Sequence, residues 1–236
     1  MSGFIRNQIC DFLDCINAHY GFWFNEVSIH LGSEIAAKLE KNVKIKTLQL
    51  ASSRLSKIFK YNHETDLLNQ LEGLSDQKLE EIQTAIALNW LAFDGIWFQE
   101  VENNFSMVDA KICNDNAWRS FSPFEAESIK KRISLSENSG LSGLKMALGF
   151  RLYSFINKQS IGNETSKSFC FYMNECRVQL ARKRKGLDDY PCKSAGIIEY
   201  TSFAKTIDKS IETQIIACPP DAHPEEWFCG WKFLIP

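Results

Sequence analysis

A chain of 236 residues, 44% hydrophobic and 24% charged with only six prolines, has the make-up of an ordinary globular protein, long enough for one large domain or two small ones. Its formal net charge of −2 excludes the overall basic field that gathers nucleic acid or acidic membranes. The first residues, "MSGFIRNQICDFLDCINAHYGFWFNE", are punctuated by Arg6, Asp11, Asp14 and Glu26, the pattern of neither a signal peptide nor a membrane span. With eight cysteines, such a chain is expected to be cytoplasmic and to use its thiols singly or on metal rather than in a disulfide framework.

Apolar residues recur at helical spacing from Phe4 to about Leu31. Ser33 is placed to cap a second helix over "EIAAKLEK", and "TLQLASSRLSKIF" predicts a third. After a polar break at Glu72–Gln77 comes a long helical pattern, "LEEIQTAIALNWLAFDGIWFQEVENNF". Ser106 and Ser122–Pro123 read as starts of further helices. The phrases "GFWFNEV" (Gly21–Val27) and "GIWFQEV" (Gly95–Val101) agree at Gly, Trp, Phe, Glu and Val. Ala36 and Ala110 keep the same offset, so the helical region 1–140 raises the question of an internal repeat.

Within the long helix Trp90, Phe93, Asp94 and Trp97 share one side, with Glu100 at its edge. Carboxylates beside three aromatics need partners, because an unpaired buried charge is costly. Basic side chains such as Arg151 or Arg177 are one solution; a cavity between the helical half and the sheet is the other. Trp90, Asp94, Trp97 and Glu100 are therefore the candidate ligand-binding residues, for a small apolar or aromatic molecule. Glu26 and Glu100 on facing helices suit a bundle metal site, but neither has the histidine three residues on that such motifs use.

After "GLSGLKMALGF" the period changes. "RLYSFINKQSI" and "SFCFYMNEC" alternate around the turn "GNETSK" and predict a β-hairpin. "KSAGIIEYTSFAKTID" returns to helical spacing, and "ETQIIAC" and "WFCGWKFLI" flank the loop "PPDAHPEE" as a second hairpin. The fold class is therefore α+β: a helical N-terminal half, and over residues 141–236 a hairpin–helix–hairpin forming a four-stranded antiparallel sheet covered by helices on one face. The basic run Arg182–Lys185 is read as a solvated turn, with no nucleic-acid partner.

Four cysteines fall at element ends: Cys176 after the second strand, Cys192 before the helix, Cys218 after the third strand and Cys229 in the fourth. An antiparallel sheet can bring such ends together, and four thiolates make the closed tetrahedral shell that zinc prefers. Iron, alone or as an Fe–S cluster, is the alternative on the same ligands. Asp221 and His223 are replacement ligands within reach along the chain, although a loop histidine is more simply a solvated one. Cys10, Cys15, Cys113 and Cys170 lie in apolar context and read as small buried hydrophobes.

The stretches "NECRVQLARKRKGLDDYPCKSAGIIEYTSFAKTID" and "CPPDAHPEEWFCGWKF", with "NWLAFDGIWFQEVE" upstream, resemble an uncharacterised family of bacterial cytosolic proteins over roughly residues 80–236. At longer range the C-terminal half resembles vinyl-4-reductase-type small-molecule-binding domains and the L-2-amino-thiazoline-4-carboxylate hydrolase family. The former resemblance implies zinc held by three cysteines and a glutamate near a ligand pocket. Cys192, Cys218 and Cys229 match the order of those cysteines. Ile215 stands where the glutamate would be, and Cys176 supplies the missing fourth ligand.

Three functions are compatible with these residues. The first is a small-molecule-binding protein with a structural zinc. The second is a metal-dependent hydrolase of a small cyclic C–N or C–S compound, and the third a protein-interaction subunit. The absence of GxSxG and HExxH motifs disfavours the enzyme, and four cysteines would fill the zinc shell that catalysis needs open. Nothing in the pattern decides between a monomer and a homodimer.

Overall fold

The computed structural model describes residues 2–60, 67–184, 186 and 189–236. By internal contacts the chain divides into two compact units, residues 1–117 and 118–236. Ala126 and Ile129, from the later part of the helix that spans residues 107–132, belong to the second unit's core.

The first unit is helical. α1 (Ser2–Leu31) buries Ile5, Ile9, Phe12, Ile16, Trp23 and Val27 along one stripe, with His19 among them. Gly32 ends it at φ 100, a conformation open to glycine and strained for residues with a Cβ. α2 (Ser33–Leu55) starts at once. Ser33 is thus its first residue rather than its cap; Gly32 holds the cap position, and no side chain caps the helix there. The segment expected as a third helix continues α2, since no glycine or proline interrupts it.

α3 (Leu67–Leu71) precedes α4 (Asp76–Asn104), whose cap Ser75 accepts from the Lys78 backbone N–H at 3.3 Å. α5 (Met107–Arg132) opens on Ser106, whose Oγ accepts from Asp109 N at 3.1 Å. It runs straight through Ser122–Pro123, expected as a helix start. Pro123 removes one backbone donor, and the turns on either side carry the helix past it.

The second unit is α+β. α6 (Gly140–Leu148) leads to a 3₁₀ turn at Leu152–Phe155, so "RLYSF" is a helical turn rather than part of the first strand. β1 (Lys158–Gly162) and β2 (Ser168–Glu175) form the first hairpin. α7 (Arg177–Lys183), absent from the sequence reading, and α8 (Lys193–Ile207) follow. β3 (Glu212–Ala217) and β4 (Cys229–Leu234) complete an antiparallel sheet of order β1-β2-β4-β3.

Register puts the sheet's apolar side chains on one face. Phe169 opposes Phe233, Phe171 opposes Trp231 and Met173 opposes Cys229. Tyr200, Phe203 and Ile207 of α8 and Leu144 and Leu148 of α6 join them in one core. α8 approaches β4 closely at Gly196, where an added Cβ would lie 2.8 Å from the Trp231 ring. Glycine at that point lets the start of α8 lie flat on the sheet.

The repeated phrase proves to be structural. One buried cluster of the first unit holds Trp23, Val27, Ala36, Leu39 and Val43 together with Trp97, Val101, Ala110, Cys113 and Ala117. Each member of the first set corresponds to one of the second at the single offset that relates "GFWFNEV" to "GIWFQEV". α2 and α5 begin at equivalent positions, Ser33 and Met107, after equivalent breaks. The paired indoles of Trp23 and Trp97 lie parallel, 6.4 Å between centroids and 3° apart in plane. The first unit thus holds two helix–break–helix segments whose residues, related by one offset, share a single core.

The copies differ around the indoles. Trp23 Nε1 donates to Asp94 Oδ1 at 2.9 Å, whereas the position equivalent to Asp94 is Tyr20, which meets Trp97 edge-on. Trp97 Nε1 has no acceptor among the described residues. Trp23→Phe should accordingly cost more stability than Trp97→Phe, by about 1–3 kcal/mol, because only the former strips a carboxylate of its donor. Urea unfolding of the two variants measures the difference; equal losses would contradict it.

Candidate functional site

The four element-end cysteines converge at one end of the sheet. Cys176 caps α7, Cys192 caps α8, Cys218 follows β3 and Cys229 opens β4. The Cys218 and Cys229 thiols lie near enough to interact electrostatically, and Cys192 interacts with Cys218 in the same way. Cys229 and Cys176 interact in the same way. All are free thiols, Cys218 buried and the other three half-buried. Among the described residues no three His, Cys, Asp or Glu side chains stand closed around a common point as they would around an ion; the thiols adjoin one another in a chain, Cys192–Cys218–Cys229–Cys176.

Donors are directed at these sulfurs. Gln179 Nε2 lies 3.2 Å from Cys192 Sγ, and Trp231 Nε1 lies 3.4 Å from Cys229 Sγ. The backbone N–H groups of Val178 and Gln179 face Cys176. Gln179 is itself fixed, donating to Tyr190 O at 2.9 Å while its Oε1 accepts from Tyr190 N at 2.8 Å. Without a metal, burial is the chief influence on Cys176 and pushes its thiol up to about 11. The neighbouring Cys229 sulfur, followed by burial, raises the Cys218 thiol as well.

The backbone holds the cluster in place. Lys193 N donates to Pro219 O at 2.9 Å, and Asp221 N donates to Cys218 O at 2.9 Å, so the turn after Cys218 is tied to the start of α8. Lys193 and Asp221 also form an ion pair at 2.8 Å. Asp221 is thereby occupied. His223 is half-buried, with Nε2 3.0 Å from Asp189 Oδ2 and Nδ1 2.8 Å from Pro224 O. Burial tends to lower its pKa, but these bonds outweigh that and raise it. Lys183 places its ammonium 4.6 Å from the Phe228 ring centroid; Lys185, the last of the basic run, lies outside the described residues.

The ligand-binding candidates occupy the first unit. Trp90, Asp94 and Trp97 line a crevice with Ile16, His19, Tyr20, Trp23 and Phe93, too narrow to admit a water molecule. Glu100 is buried and takes an ion pair from Lys46. The basic partners proposed from sequence serve elsewhere: Arg151 is bound by Glu125 and Glu199, and Arg177 donates to Ile156 O. Both carboxylates find closer partners on their own unit's helices. A wider groove of about 590 Å³ opens nearby along α1, α2 and α4, lined by Ile9, Leu13, Leu48, Leu55, Ile82 and Ile86 among others.

Several of these residues escaped the sequence reading although their spacing contained a signal. Trp231 is two residues after Cys229 in a strand, and Gln179 three after Cys176 into a helix, so each shares a face with its cysteine. The Arg151 network and the apolar groove bring distant segments together, and no local pattern announces them. Cys15, Cys113 and Cys170 are buried as expected of small hydrophobes, and Cys10 is half-buried.

The second unit is thus an antiparallel sheet with a cysteine cluster at one end, under helices. A family described as one of unknown function (DUF6125) matches residues 71–235, and the chain belongs to that family. No curated protein and no solved structure matches it. No helix among the described residues is long and apolar enough to cross a membrane.

His19 and Asp94, 3.5 Å apart, set a test of the crevice. Burial holds the folded His19 down to about 3 against the ordinary 6.5, so falling pH through that window favours unfolding. Burial lifts the folded Asp94 to about 6 against 3.8, despite the Trp23 bond, so falling pH between those values favours the folded state. The two slopes oppose each other from about pH 6 to pH 4. Asp94→Asn leaves His19 unopposed there, so its urea midpoint should fall more steeply than that of the natural protein as pH drops from 6 to 4. Parallel profiles would show that the two groups do not titrate as placed.

Proposed function

We propose that the chain is a small-molecule-binding protein whose second unit is held by a structural zinc ion on Cys176, Cys192, Cys218 and Cys229. The observation that carries the zinc assignment is the convergence of four free thiols from four element ends, with N–H donors aimed at their sulfurs. Donors of that kind stabilise thiolate charge and orient ligands around a metal, and four thiolates suit tetrahedral zinc with no position left for water.

Ligand capacity is supported by the apolar groove, whose volume of about 590 Å³ falls in the range of about 300–1,000 Å³ usual for small-molecule sites. Its aliphatic lining suits an apolar ligand.

Elemental analysis of protein purified without added metal should find about one equivalent of zinc per chain. Cys218→Ser should lower that content and destabilise the second unit by several kcal/mol, on the order expected when a structural zinc is weakened, while leaving the far-ultraviolet helical signal of the first unit largely intact. Protein that is metal-free and melts no differently in the variant would overturn the zinc assignment. For the groove, Ile86→Trp should fill it and abolish binding of an apolar fluorescent probe such as ANS; unchanged probe binding would remove the groove as the ligand site.

A further inference from the structure

Cys218 and Cys229 stand in a special relation within the cluster. β3 and β4 pair Ala217 with Gly230, just past an irregularity at Ile215/Ala217, and Cys218 and Cys229 are the next residues on the two chains from that pair. Opposed residues on antiparallel strands have Cα atoms about 4.5–5.5 Å apart, inside the span of about 4.4–6.8 Å that a disulfide bridges. The two sulfurs are electrostatic neighbours. The other two cysteines are placed differently: Cys176 and Cys192 each cap a helix, and Cys192 is engaged by Gln179. Packing closes in behind the pair: a Cβ added at Gly196 would lie 3.7 Å from Cys218 Sγ, and Trp231 Nε1 lies 3.4 Å from Cys229 Sγ.

We propose that Cys218 and Cys229 form a reversible redox pair, which a two-electron oxidant of the peroxide class converts to a disulfide, discharging the metal. The inference rests on the zinc reading for the discharge, though not for the pairing. Cys229, the more exposed of the two, attacks the peroxide as its thiolate. The O–O bond breaks, giving a sulfenic acid, and the leaving hydroxide becomes water by taking up a proton, the thiol's own in metal-free protein or one from solvent where the thiolate was on zinc. The Cys218 sulfur then displaces the sulfenic hydroxyl, which leaves as a second water with a proton from the same source, and the S–S bond forms. The two sulfurs lose two electrons, and hydrogen peroxide with two protons is reduced to two waters. A disulfide is no longer a pair of thiolate ligands, so the metal keeps only Cys176 and Cys192 and is released.

The test uses the full chain as purified. It is treated with hydrogen peroxide, alkylated and digested without reductant, while a chromogenic chelator follows released zinc. The expected result is one cross-linked peptide joining Cys218 to Cys229 and an intact mass lower by two hydrogens. About one equivalent of zinc should appear in step with the cross-link, and dithiothreitol should reverse the cross-link. A zinc-loaded protein that forms no such peptide, pairs other cysteines, or goes straight to sulfinic acid overturns the redox pair and leaves the zinc reading standing. A Cys218–Cys229 disulfide that forms in metal-free protein sustains the pair and overturns the zinc reading with the discharge.

Discussion

In the second unit the guanidinium of Arg151, only 1% exposed, is held between two carboxylates, and the placing of the surrounding elements follows from that arrangement. Glu125 of α5 binds Arg151 Nε at 2.8 Å, and its other oxygen accepts from Leu152 N at 3.0 Å. Glu199 of α8 takes Nη1 at 2.7 Å. Removing an arginine from water is expensive, and only a full set of partners makes it tolerable. Burial would lower the Arg151 pKa, but the two glutamates more than reverse that and keep it charged. The rings of Phe203, Tyr200 and Tyr153 surround it, Phe203 nearest with its centroid at 4.5 Å. The end of α5, the 3₁₀ turn and α8 are thereby fixed to one charge.

That charge also sets the surroundings of the thiols. Glu199 and Tyr200 are adjacent on α8; Glu199 is near Cys176 and Cys218, and Tyr200 near Cys176 and Cys229. A displaced α8 would carry Cys192 with it, so the ion network and the thiol cluster share a positional constraint. Gly196 is the second constraint, since any side chain there would push α8 off Trp231. The cluster is thus placed by the most rigid parts of its unit, as a binding site requires if its ligands are to be held ready.

The first unit reaches its core by a different economy. Two helix–break–helix segments contribute residues at one offset to a single cluster, in which the Trp23 and Trp97 rings lie parallel. The departures from equivalence, Asp94 against Tyr20 above all, are where polar chemistry enters that core.

Local pattern was enough to determine the α+β class, the four strands and the position of each cysteine at an element end, because strand and helix periods and turn residues are short-range properties. It also carried the repeated phrase, although the sequence alone showed five matching residues and the structure shows a shared core. Helix continuity was misjudged at "TLQLASSRL" and at Ser122–Pro123, where serines that suit caps lie inside long helices whose buried faces override them. Tertiary structure alone decided the partners. Asp94 went to Trp23 and His19, Glu100 to Lys46, and Arg151 to Glu125 and Glu199, since a buried charge is satisfied by whichever opposite group folding brings closest. It likewise decided that Cys218 and Cys229 lie beside the paired Ala217 and Gly230, because strand register is a property of the assembled sheet and not of either strand.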